Sequence, residues 1–119
     1  MGGGAGGSAE PEDVGGIKFL GQTFDGLDPK ELRGLANDAK QQLGSGIAAF
    51  VTVNDGRASV LVTVTDDLTA RFSAVDLVRT GVETLGGQGG GGKPEMAQGG
   101  GPDGSKAGEA IAAIKALLG

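Results

Sequence analysis

Lys93-Pro94-Glu95-Met96-Ala97-Gln98 is a compact set of polar and cationic groups in an unusual setting. Ten of the nineteen residues from Gly86 to Gly104 are glycine. Glycine loses more backbone freedom on folding than any other residue, so such a run is tolerated where φ must be positive or where another group comes close. Two readings follow. The N–H groups of Gly90, Gly91 and Gly92 could receive a phosphate or a base edge. Alternatively, the glycines let this segment pack tightly over a helix or against a partner. Lys93, beside a proline at the tip, suits a phosphate contact as well as it suits plain solvation. Gln98 could bond to a base or ribose, or satisfy loop backbone. Met96 could meet exposed bases, but filling a gap in the core is the commoner use of methionine. The run lacks the Gly-Lys-Ser/Thr ending of a P-loop and does not open a helix after a strand, so nucleotide binding of that type is not expected.

Further candidates for phosphate contact are Arg71, Arg79 and Lys106. Arg71 could instead pair with Asp66 or Asp67, and Arg79 and Lys106 could be ordinary solvated helix residues. The formal net charge of −5 opposes nucleic-acid binding taken alone. Its distribution softens this. Residues 1–67 hold five basic and ten acidic groups, whereas residues 68–119 hold five of each.

There is no Cys and no His. That removes Cys/His zinc sites, cysteine nucleophiles and Ser–His pairs. Asp66 and Asp67 are adjacent after a strand and point to opposite sides, so a turn or cap role is expected rather than a metal pair. Metal binding could use carboxylates alone, which favours weak Mg or Ca sites over transition metals. The four Phe are the only aromatics. Phe50 falls in a core-like strand, and Phe72 is the best placed of them for exposure.

The elements that must position these groups follow from spacing. Residues 1–16 read as a flexible glycine-rich linker, and residues 17–119 as one domain. A leading linker is expected of a piece of a larger protein, or of an expression remnant. Ile17–Phe24 reads as a strand. Asp28 caps a helix with Pro29 at its first position, and Leu32, Leu35, Ala36, Ala39 and Leu43 share one face. Ile47–Val53 reads as a buried central strand, Asn54-Asp55-Gly56 as a tight turn, and Ala58–Thr65 as the returning strand. Ser73 or Thr69 caps a second helix reaching about Leu85. After the glycine run, in which Met96–Gln98 could form a short strand, Ser105 caps a third helix with Ala107, Ala110, Ile111, Ile114, Leu117 and Leu118 on its apolar face. The order β-α-β-β-α-loop-α predicts an α/β (α+β) fold with a small mixed sheet of three to four strands. No apolar run approaches membrane-spanning length, and there is no signal-peptide pattern. A cytoplasmic protein is the default.

The segments Asp66-Asp67-Leu68-Thr69-Ala70-Arg71 and Gly86–Gly100, with Lys93-Pro94-Glu95-Met96-Ala97-Gln98 at its centre, resemble the C-terminal domain of bacterial alanyl-tRNA synthetase. The resemblance covers roughly residues 14–119. The same domain type follows the catalytic domain of DHH-type phosphoesterases; the Lys93–Gln98 segment favours the synthetase. The resemblance implies a non-catalytic domain that helps hold the outer corner of tRNA(Ala) and supports aminoacylation and editing carried out elsewhere. ATP, Mg and zinc would belong to those other domains. In some members this domain also takes part in dimerisation, so partners would be tRNA(Ala), the remaining domains and a possible second copy, without a membrane. Two alternatives stand beside it: a substrate-binding domain of a phosphoesterase, and a dimerisation module marked by an exposed Ile111–Ile114–Leu118 stripe.

Overall fold

A computed structural model of the chain describes residues 12–87 and 90–118. The elements run β1 (Glu12–Val14), β2 (Ile17–Asp25), α1 (Pro29–Leu43), β3 (Ile47–Asn54), β4 (Arg57–Val64), α2 (Ala74–Thr84), β5 (Gly91–Lys93), β6 (Met96–Gly101) and α3 (Ala107–Ala116), with short 3-10 turns at Asp66–Leu68 and Gly104–Lys106. One mixed sheet contains all six strands in the order β1-β2-β3-β4-β6-β5. Only β2 and β3 pair in parallel, across the α1 crossover; the other neighbours are antiparallel.

Helix α1 begins where expected. The Asp28 carboxylate accepts from the Lys30 N–H at 3.0 Å, with Pro29 just inside the helix. Its start is fixed to the sheet because the buried Thr52 hydroxyl and the Asn54 amide both donate to the Leu27 carbonyl, each at 2.8 Å. Leu32, Ala36, Ala39 and Leu43 then bury one face of α1 against Leu20, Ala48, Phe50 and Leu61. Each fully buried leucine contributes about 1.5–3 kcal/mol relative to exposure. Helices α2 and α3 cover the opposite face, where Val60, Val62, Val78, Val82, Ala110 and Ile114 lie in one core. The molecule is a three-layer sandwich: α1, sheet, α2 with α3.

The sheet has six strands instead of three to four, and the two additions have distinct causes. At the N-terminal side, Glu12–Val14 pairs with Ile17–Phe19 around a Gly15-Gly16 turn. Glu12 also forms an ion pair with Lys115 on α3 at 2.6 Å. Residues 12–16 therefore belong to a hairpin rather than to the linker; residues 1–11 of that stretch lie outside the described residues. At the other side, the glycine run is not a loop. Gly91–Lys93 and Met96–Gly101 form a hairpin added to β4, with register Ala97 opposite Val62 and Gln98 opposite Leu61.

Close backbone approach explains the glycines of β6. A Cβ on Gly99 would lie 2.6 Å from Val82 Cγ2, and one on Gly101 would lie 2.6 Å from the Leu85 carbonyl oxygen. Helix α2 thus rests directly on the bare backbone of β6. Two further expectations need correction. Ser73 caps α2, accepting from the Val75 N–H at 3.3 Å, but Ser105 does not cap α3. It sits inside the 3-10 turn and donates to Asp103 at 2.5 Å. The α3 stripe is turned inward: Ile114 and Leu118 are buried and Ile111 packs on the same core.

Candidate nucleic-acid interface

Alternation along the hairpin separates its side chains. Ala97, Gly99 and Gly101 face α2, while Met96 and Gln98 face the α1 side with Thr63 and Leu61. Gly91 and Lys93 stand opposite Gln98 and Met96 on that same side. Between this hairpin face and α1 lies a cleft of about 430 Å³ lined by Arg33, Asn37, Lys40, Gly91, Gly92, Lys93, Glu95, Met96, Ala97 and Gln98.

Three backbone anchors hold the hairpin tip. The Pro94 carbonyl accepts from the Ala74 N–H at the start of α2 at 2.9 Å. The Glu95 carbonyl accepts from the Val64 N–H at 2.9 Å and from the Thr63 hydroxyl at 3.0 Å. These contacts present Lys93 outward at a defined place. From α1, the exposed Arg33 donates through Nε to the Gln98 Oε1 at 3.1 Å. Asn37 and Lys40 follow at i+4 and i+7 of Arg33, on the same flank of the helix.

The electrostatics of the cleft oppose those of the whole chain. Its lining contains three of the ten basic residues (Arg33, Lys40, Lys93) and one of the fifteen acidic residues (Glu95). Among the described residues, the single ion pair is Lys115–Glu12, so these three cations carry no carboxylate partner. Half-buried Met96 packs its inner part against the α1-side core and lends its remainder to the cleft floor. Its inner part thus fills a gap in the core, the commoner of the two uses.

The structure brings together part of the expected set. Lys93, Gln98, Gly91 and Gly92 line the cleft. Gly90 adjoins them but turns toward α2, where a Cβ would meet Val78 and Val82 at 3.3 and 3.4 Å. Arg71 lies three residues before Ala74, at the same end of the molecule as the Pro94 turn. It does not pair with Asp66 or Asp67 but sits over the Phe72 ring, 5.4 Å from its centre. Arg79 on α2 and Lys106 before α3 are exposed on the opposite layer and do not reach the cleft. Phe72 is half-buried against the core rather than free. Asp67 plays a structural part: the Ser45 and Thr65 hydroxyls both donate to its carboxylate, the latter at 2.6 Å, and hold its pKa below the ordinary aspartate value.

Arg33, Asn37 and Lys40 escape a reading of the sequence. All three lie on the polar side of α1 and read there as solvated residues. A signal is present nonetheless: each directly follows a core position, Leu32, Ala36 or Ala39, which places them along one border of the apolar stripe.

The family model described as the DHHA1 domain matches residues 16–119. The chain belongs to the DHHA1 domain family. Its relatives include an alanine–tRNA ligase of Rhizorhabdus wittichii, 65% identical over 111 residues that make up 93% of this chain and 12% of that protein. Another, from Sphingopyxis alaskensis, is 61% identical over 119 residues, 98% of this chain and 14% of that protein. The chain therefore spans about one eighth of the length of these relatives. The fold of this DHHA1 domain is that of the C-Ala domain of Aquifex aeolicus alanyl-tRNA synthetase, with a TM-score of 0.85, 28% identity, and coverage of 92% of this chain and 97% of that one. A DHH domain from a member of the s1p family of ribosomal proteins shares the fold at a TM-score of 0.59 and 21% identity, covering 92% of this chain and 28% of that one. Among the described residues no helix is long and apolar enough to cross a membrane.

Proposed function

We propose that this DHHA1 domain is the non-catalytic C-terminal part of an alanine–tRNA ligase, and that the α1–hairpin cleft receives the sugar–phosphate backbone at the outer corner of tRNA(Ala). The observation that carries the reading is the cleft itself. An acidic chain concentrates Arg33, Lys40 and Lys93 there without acid partners among the described residues. Phosphate contacts need such cations. The Asn37 amide and the apolar surface of Met96 are suited to 2′-hydroxyls and base faces of folded RNA. The parent enzyme is assigned from the ligases at 55–65% identity, which favour the synthetase over a phosphoesterase. Alanine activation, transfer and editing, with their ATP, Mg and zinc, belong in this reading to other domains, in the cytoplasm.

With few cations and no free aromatic platform, binding by this chain alone is weak, with Kd of about 1–100 µM. Tethering to the rest of the enzyme raises the effective affinity. The test is a titration with tRNA specific for alanine and with a second tRNA at two salt concentrations. Salt-sensitive binding supports the reading, and equal affinity for both RNAs means recognition of shape. Absence of binding to either, or of any effect from Lys93→Ala combined with Arg71→Ala, refutes it. Purified chain is expected to catalyse neither alanine activation nor deacylation.

A further inference from the structure

The hydrogen bond between the two walls of the cleft assigns a role that neither residue type suggests by itself. Arginine carries five N–H donors in a planar fork. Gln98 Oε1 engages only the one on Nε. That leaves both terminal nitrogens for a ligand, the arrangement in which guanidinium grips an oxyanion with two parallel bonds. An exposed arginine otherwise samples many rotamers, and side-chain entropy resists its fixation. Gln98 is itself well placed to act as an anchor. It lies on β6, which pairs on both edges, with Leu61 of β4 on one side and Gly91 of β5 on the other. Its strand neighbour Ala97 is buried in the core below the sheet.

We infer that Gln98 is a positioning residue rather than a reader of RNA bases: it fixes the Arg33 guanidinium so that the two terminal nitrogens take a single backbone phosphate across the cleft from Lys93. The inference rests on the proposed function of the cleft. Specificity for base identity is then absent at this point, and the contribution of Gln98 exists only through Arg33.

A double-mutant cycle on this chain tests it, using a tRNA transcript specific for alanine as the probe. The variants are Arg33→Ala, Gln98→Ala and the pair. Both residues are exposed, and thermal melts identify any variant that has lost its fold. Gln98→Ala is expected to weaken binding about threefold to tenfold, as loss of one exposed hydrogen bond of ordinary strength does. It should leave the slope of log K against log salt unchanged, because no cation is removed. Arg33→Ala should weaken binding and lower that slope by about 0.7–0.9. In the Arg33→Ala background, Gln98→Ala should have no further effect. An equal loss from Gln98→Ala in both backgrounds would show direct contact with RNA and overturn the inference while leaving the cleft's function intact. Unaltered chain that fails to bind the transcript would overturn both.

Discussion

Arg33 and Gln98 stand 65 positions apart in the chain, yet a 3.1 Å hydrogen bond joins Nε of the first to Oε1 of the second. The bond crosses from α1 to β6, two elements formed by unrelated parts of the sequence. It ties the helix flank that carries Asn37 and Lys40 to the strand that follows the Pro94 turn. The cleft is thereby a defined space between two walls rather than an incidental furrow.

Cations on the two layers should behave differently. Lys40→Ala and Lys93→Ala are each expected to weaken tRNA binding and to lower the salt slope by about 0.7–0.9, the value for one lost phosphate contact. Arg79→Ala and Lys106→Ala, across the sheet from the cleft, should change neither. Fluorescence titrations over a salt series measure both quantities. The same slope loss from all four variants would refute the cleft as the interface.

Two glycines of the hairpin separate packing from binding. Gly91 faces the cleft, and a Cβ added there would have nothing within 4 Å, whereas one on Gly99 would press on Val82 at 2.6 Å. Gly99→Ala should cost about 1–3 kcal/mol, as overpacking does. Gly91→Ala should leave stability near that of the parent but reduce RNA affinity if the ligand backbone comes close there. Urea unfolding and the same titrations give the two readouts.

Asp67 gives a pH dependence whose sign is set by its two hydroxyl donors. Its folded pKa is depressed, so the associated stabilisation is present above the unfolded value and is lost as pH falls through the folded one, that is, below about pH 4. Ser45→Ala, which removes the largest cause, should move the Asp67 carboxyl titration upward in an NMR pH series. An unmoved titration would mean that the hydroxyls do not control this group.

The third helix offers a test of self-association. Ile114 is fully buried, whereas Leu117 is 49% exposed. Ile114→Ala should destabilise the domain by about 2–5 kcal/mol. Leu117→Ser should change neither stability appreciably nor the mass measured by sedimentation. A fall in mass for Leu117→Ser would return weight to the dimerisation module.

What could be read from the chain depended on whether side chains carried a pattern. The stripe Leu32–Ala36–Ala39–Leu43, the Asp28 and Ser73 caps and the apolar run from Ile47 gave α1, α2 and β3 close to their observed bounds. β5 and the second half of β6 were invisible because Gly91, Gly92 and Gly99–Gly101 have no side chains to alternate. Three-residue β1 was too short to show a period. Lys93 and Gln98 stood out by their neighbours, whereas Arg33, Asn37 and Lys40 were indistinguishable from other polar helix residues until the position of α1 beside β6 selected them. Arg79 and Lys106 were chosen for charge alone, and topology put them elsewhere.

The glycine hairpin works as a sheet of zero thickness on one side and a display on the other. Toward α2, Gly99 and Gly101 admit no added atom, so there the approach of that helix and its C-terminal end to the sheet is set by main chain. Toward α1 its positions carry the groups that meet solvent. A library randomised at positions 93 and 98 would therefore return folded proteins with altered ligand affinity, while the same diversity at positions 99 and 101 would return destabilised ones. Recognition can be rewritten in this domain without touching its architecture, because the two are inscribed on opposite faces of one ribbon.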